Sequence, residues 1–213
     1  MGTAKFVFLY SHTTPELIHD PAREGDYVFA GGYSNRDYDT LLEAARGLPQ
    51  RVVIAAPRHC LPAATCPANV EILGEVGEEE FYRLLSASAI VAVTLKGGCI
   101  EPGGRQVFEN AMSIGKPVVV ASEWAEDYIE DGVTGILVPP GDANRLRSAL
   151  TLLIEDRTRA REMGQRAQAA AAAFTPEKFF EGVFALAEEC LKQGRPAREP
   201  GPSNPVPGSG QER

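Results

Sequence analysis

Ala89-Ile90-Val91-Ala92-Val93-Thr94 is followed by Leu95-Lys96-Gly97-Gly98-Cys99-Ile100-Glu101-Pro102-Gly103-Gly104. Next come Arg105-Gln106-Val107-Phe108-Glu109-Asn110-Ala111-Met112-Ser113-Ile114-Gly115-Lys116 and Pro117-Val118-Val119-Val120-Ala121. The first and last runs are β-branched and apolar with no polar alternation, the pattern of strands buried on both faces. Between them, Val107, Phe108, Ala111, Met112 and Ile114 recur at helical spacing, and Gly115 closes the segment as a C-cap glycine. Strand, glycine-rich loop, helix, strand: this is a βαβ unit with its loop at the carboxyl end of the first strand.

The same alternation runs outward in both directions. Further strands are expected at Lys5–Tyr10, Tyr27–Gly31, Arg51–Ala55, Val70–Leu73 and Gly135–Val138. Helices are expected at Asp37–Gly47, Glu78–Ser88, Glu126–Asp131, Ala143–Glu155, Arg157–Phe174 and Pro176–Gln193. The last has Thr175 as N-cap and Pro176 at its first position. The pattern predicts an α/β fold: a single Rossmann-like, doubly wound parallel sheet with helices on both faces. The expected organisation is a connector-like segment over 1–25, one domain over 26–193, and a disordered Pro/Gly-rich tail over 194–213.

Composition narrows the function. The chain has 213 residues, 44% of them hydrophobic, and a net charge of −8. That charge has the wrong sign for a duplex-binding domain, which needs excess Lys and Arg. No stretch approaches a transmembrane span, and the first thirty residues lack a basic n-region and apolar h-region, so cytoplasmic residence is expected. The four cysteines form no CxxC pair, and His59, Cys60 and Cys66 lack a second ligand pair, so no metal site is expected.

Ligands of doubly wound sheets sit at the carboxyl ends of the strands, which confines the search to three loops. In Gly31-Gly32-Tyr33-Ser34-Asn35-Arg36-Asp37, paired glycines allow close backbone approach and Arg36 offers a guanidinium fork to a phosphate near a helix start. The same residues also fit a plain glycine turn with Asp37 as N-cap and Arg36 solvated. In the second loop, Gly97, Gly98, Gly103 and Gly104 leave N–H groups accessible at a helix N-terminus, flanked by Lys96 and Arg105: an anion cradle. Glu101 and Glu109 stand where two carboxylates can border one pocket. The competing reading is a surface Arg105–Glu109 pair with Glu101 solvated. The third loop carries Trp124, the only tryptophan, which either stacks on a ligand or packs. There is no GxGxxG, Walker A, GxSxG or HExxH motif. His12, His19 and His59 have no evident carboxylate or nucleophile partner.

From about Asp26 to Glu189 the chain resembles the C-terminal, donor-binding half of retaining glycosyltransferases of the GT-B fold, of the group 1 or family 4 type. Glu101 and Glu109 match that family's E-x7-E pattern, with Gly104 its internal glycine. The run Glu109 to Val120 resembles its EAMA-x-GKPVV segment, and Gly132 to Asp142 its DG-x-TG-LV-PPGD segment. The resemblance implies transfer of a sugar from a nucleotide-diphosphate sugar, with the nucleotide sugar as substrate and no metal cofactor. It implies that Glu101 contacts the donor sugar near the reacting centre and Glu109 the ribose. Backbone N–H groups around Gly103 and Gly104 would meet the diphosphate, and Glu75 and Val76 would lie by the base. Gly31, Gly32, Arg36, Lys96 and Arg105 complete the expected donor site.

The match has departures. The family's Arg after the first-loop glycine falls on Gly32, with Arg36 as the replacement; Asn110 stands for Ala; the usual Gly pair after Ala121 is missing. The family's N-terminal acceptor half has no counterpart here. A second domain or subunit supplying the acceptor site is therefore expected, with peripheral membrane contact only through that partner. A non-catalytic nucleotide-sugar-binding or scaffolding subunit is the alternative.

Overall fold

The computed structural model describes residues 25–63, 65–98 and 103–192. The expected strand at Lys5–Tyr10, the connector before residue 25, the 194–213 tail, His12, His19, Cys99 and Glu101 lie outside the described residues.

Among the described residues six strands form one sheet, paired in parallel throughout: β1 Tyr27–Gly31, β2 Arg51–Ala55, β3 Val70–Gly74, β4 Ile90–Thr94, β5 Val118–Ala121 and β6 Ile136–Val138. Their spatial order is β3-β2-β1-β4-β5-β6, the doubly wound order whose direction reverses between β1 and β4. The helices are α1 Tyr38–Ala45, α2 Glu78–Ala87, α3 Arg105–Ser113, α4 Ala143–Glu155, α5 Arg157–Ala171 and α6 Pro176–Lys192.

The absence of polar alternation follows from burial on both faces. Successive side chains of a strand point to opposite faces, and here both are covered. Phe29, Val91, Val93, Val118 and Val120 join one core with Phe108, Met112 and Ala167. Val28, Ile90, Ala92 and Val119 join the other with Leu41, Leu146 and Leu150. The edge strand β3 is different, with Glu71 and Leu73 exposed between half-buried neighbours.

Caps set the helix starts. Asp37 Oδ1 accepts from Thr40 N–H at 3.0 Å to begin α1. Asp142 Oδ1 accepts from Arg145 N–H and Asp156 Oδ1 from Arg159 N–H, each at 2.9 Å. The helix expected at Glu126–Asp131 is instead a single 3-10 turn at Ala125–Asp127. The carbonyl of Ala125 receives the N–H groups of both Tyr128 and Ile129, and the chain then turns at Gly132 into β6. The longest helix, α6, buries none of its residues and leaves Phe180, Phe184 and Leu191 exposed. Among the described residues no helix is long and apolar enough to cross a membrane.

Candidate functional site: a cleft at the β1/β4 switch point

The loops after β1 and β4 are joined across the switch point. Asp37 N–H donates to Thr94 O at 2.9 Å, and Lys96 N–H to Asn35 O at 3.2 Å. The Thr94 hydroxyl donates to Asp37 O at 2.7 Å. Strand order alone brings these loops together, since β1 and β4 are neighbours.

The contact is closer than side chains allow. A Cβ on Gly103 would lie 2.9 Å from Ser34 O, and one on Gly31 2.4 Å from the Phe81 ring. Gly104, the N-cap of α3, has φ +82°, a left-handed conformation that favours glycine. A Cβ there would also meet Arg36 Nη1 at 2.6 Å and Val93 Cγ1 at 2.8 Å.

Arg36 fills the space these glycines leave. It is neither projecting nor solvated: it is only 6% exposed. Its Nε donates to Gly31 O at 2.9 Å and its Nη1 to Ser34 O at 2.8 Å. Nη2 lies 2.6 Å from where a Cβ on Gly32 would stand. The guanidinium therefore sits against the position at which the resemblance expected an arginine. Burial lowers its pKa from the ordinary arginine value, but arginine remains charged. No described carboxylate pairs with it. Tyr38 packs beside it and donates its hydroxyl to Gly32 O at 2.6 Å; burial raises that phenol's pKa above the ordinary tyrosine range.

This cation borders a cavity of about 310 Å3 at the carboxyl ends of β1, β2 and β3. Gly32, Arg36, Glu75, Val76 and Gly104 line it together. The sequence reading did not single out the remaining wall, formed by Ala55, Ala56 and Pro57 after β2, Phe81 and Glu78 on α2, and Gln106 and Val107 on α3. The position of β2 beside β1 in the sheet was the available signal. A second cavity of about 280 Å3, around Lys116 and Arg157, lies at the amino ends of the strands, the end opposite the usual ligand crevice.

Glu109 is placed differently from expectation. Helical spacing puts it on one face with Arg105 and Ser113, a polar set that predicts exposure, but Glu109 is 0% exposed and does not line the cavity. Residues Val107 through Met112 of α3 are all buried. Tertiary packing covers the face that the helical pattern left to solvent. Glu109 Oε1 lies 3.8 Å from Arg105 Nε. Arg105 also donates from Nη1 to the Tyr128 hydroxyl at 3.2 Å and stands over that ring at 5.9 Å from its centroid. Arg105 is thus turned toward the loop after β5 and away from the cavity. Lys96 is exposed at the β4 loop.

Glu109→Ala is accordingly expected to cost about 2 kcal/mol of folding stability, because it removes the carboxylate from a partly buried ion pair. Urea unfolding checks this. An unchanged midpoint would mean that Arg105 needs no anionic partner.

Trp124 is a packing residue. Its ring centroid lies 6.0 Å from Phe108 and 6.1 Å from Tyr128, half-buried against the core beneath α3. Its neighbour Glu123 does more for the glycine loop, accepting from Gly98 N–H at 3.0 Å through Oε2.

Residues 27–170 match the family described as Glycosyl transferases group 1. The chain belongs to that family. It is similar to the D-rhamnosyltransferase WbpZ of Pseudomonas aeruginosa, 34% identical over 140 residues, which are 61% of this chain and 35% of that protein. Among solved structures it is similar to AviGT4, a glycosyltransferase involved in avilamycin A biosynthesis. There the TM-score is 0.70 and the identity 19%, over 91% of this chain and 60% of that one. It is also similar to sucrose-phosphate synthase from Thermosynechococcus elongatus, with TM-score 0.67 and 20% identity, over 86% of this chain and 52% of that one. A third is Anabaena Alr3699/HepE, determined in complex with UDP-glucose, with TM-score 0.65 and 24% identity, over 78% of this chain and 50% of that one. At these identities the structural likeness speaks for the fold. The chain spans about a third of the length of WbpZ and half to three fifths of the structures. In this group 1 chain, the cleft described above lies at the carboxyl ends of the strands within the matched residues.

Proposed function

We propose that this chain is the donor-binding half of a retaining GT-B glycosyltransferase, taking a nucleotide-diphosphate sugar into the switch-point cleft. The observation that carries this reading is Arg36: a buried guanidinium with no carboxylate partner among the described residues, lining a cavity that also takes in the N-terminus of α3. A buried charge is costly unless an opposite charge compensates it. A diphosphate supplies that charge, and it accepts from N–H groups at the helix start as well.

In this reading Arg36 and the backbone around Gly103 and Gly104 hold the diphosphate. Lys96 adds positive charge at the rim, so the leaving group is stabilised by fixed cations with no metal. Glu75 and Val76 lie by the base, and Glu101 contacts the sugar at the reacting centre. Glu109 holds Arg105, and it meets the ribose only if that pair opens. Transfer needs an acceptor side, which we assign to a second domain or subunit. The second reading is a nucleotide-sugar-binding subunit without catalysis of its own. Appearance of glycosyl transfer on adding a partner separates the two.

The test is calorimetric titration of the chain with UDP, GDP and ADP, their common sugar conjugates, and pyrophosphate. Saturable binding of a nucleoside diphosphate, weakened by Arg36→Ala, is expected. A folded sample that binds none of them overturns the reading.

A further inference from the structure

The cavity is polarised along its length. Arg36 and Gly104 mark one end, at the junction of β1 and β4. Glu75 and Glu78 mark the other, beyond the carboxyl end of β3. β3 lies two strands from β1, about 9–10 Å at the usual strand spacing. The lining also includes the apolar Ala55, Pro57 and Phe81, against which a flat base can pack. With a phosphate at the guanidinium, that reach carries a nucleoside's base to the carboxylate end.

We infer that the base this cleft selects is guanine, read by the Glu75 carboxylate. The inference deepens the donor-site reading and rests on it. An ionised carboxylate only accepts hydrogen bonds, so the edge it faces must donate. Neither Glu75 nor Glu78 forms an ion pair or hydrogen bond with another described residue, and Arg36 is the one cationic side chain among the described residues that line the cavity. Guanine presents N1–H and the 2-amino group side by side, two donors that one carboxylate accepts together. Uracil offers a single N3–H between two carbonyl oxygens, and both repel a carboxylate. Adenine offers one amino group beside the N1 acceptor, which also repels it. Glu78 has another explanation, since it opens α2 with Glu79 and Glu80 and carboxylates favour a helix N-terminus. Glu75 has no such role, because it precedes the Gly77 N-cap.

The test titrates the whole chain with GDP, UDP, ADP, pyrophosphate and IDP, whose base is guanine without the 2-amino group. GDP is expected to bind about 10-fold or more tighter than UDP or ADP, the scale of one bidentate base contact. IDP is expected to bind about 10-fold more weakly than GDP. Glu75→Gln should weaken GDP and bring GDP and IDP together, while pyrophosphate binding stays as it was. UDP or ADP binding as tightly as GDP overturns the inference and leaves the donor site standing. So does a GDP/IDP ratio that Glu75→Gln does not change. Absence of all binding, pyrophosphate included, overturns both.

Discussion

Arg36→Ala should weaken nucleoside-diphosphate binding by about 10–100-fold while leaving the chain folded. Two opposing terms act on stability. The substitution removes the donors that Gly31 O and Ser34 O use, at about 1 kcal/mol each. It also removes a charge from a site where it is 6% exposed and has no carboxylate partner among the described residues, which relieves a desolvation cost of similar or larger size. The net change in unfolding free energy should stay within about 2 kcal/mol. Binding has no such compensation. A hydrogen bond to a charged group is worth about 1.5–3 kcal/mol, and each 1.4 kcal/mol is a factor of ten.

Arg36→Lys sharpens the test. An ammonium keeps the charge but cannot hold Gly31 O, Ser34 O and a ligand oxygen with a fixed planar fork. It should recover only part of the affinity. A second readout is the melting temperature, which a ligand that binds only the folded state raises. Pyrophosphate should raise it in the parent chain and not in Arg36→Ala. Full affinity in Arg36→Ala would show that the guanidinium only props the β1 loop and that the diphosphate rests elsewhere.

The sheet was legible because two-sided burial writes uninterrupted Val and Ile runs, and β1, β2 and β4 fall within a residue of the expected bounds. The helix starts were legible where a local residue does the work, as with Asp37 on α1. What failed was long-range. The placement of Arg36 depends on the backbone of Gly104, and nothing near Arg36 in sequence reports that contact. Glu109 shares a helix face with Arg105 and Ser113, which reads as solvated. The loop after β5 then covers it, through Tyr128 against Arg105. The turn at Ala125–Asp127 also read as a longer helix, since helical composition does not disclose where the chain must turn into β6. Within the cleft, the glycines and Arg36 were visible as loop chemistry. The apolar wall from Ala55 to Pro57 was not, because its membership follows from strand order.

Gly164→Ala is expected to destabilise the fold by about 2 kcal/mol despite improving a helix residue. In an exposed helix interior the change would gain about 1 kcal/mol, so the two readings differ in sign. A Cβ on Gly164 would stand 2.0 Å from Gly115 O and 2.9 Å from Gly115 C. That carbonyl cannot easily move. Gly115 has φ +75°, its N–H donates to Met112 O at 2.9 Å, and Lys116 N–H donates to Ala111 O at 2.9 Å. This is the double hydrogen bond of a Schellman cap closing α3. The next side chain is fixed as well, with Lys116 Nζ donating to Ser88 O at 2.8 Å. The added methyl must push α5 off α3, opening the contact that buries Ala167 and Met112. Overpacking of this kind costs about 1–3 kcal/mol. In a chain of this size the melting temperature should fall by about 4–8 °C. The cleft lies at the other end of the sheet, so nucleotide affinity measured below the transition should be unchanged. A melting temperature equal to or above that of the parent would mean that α5 does not approach Gly115 so closely in solution.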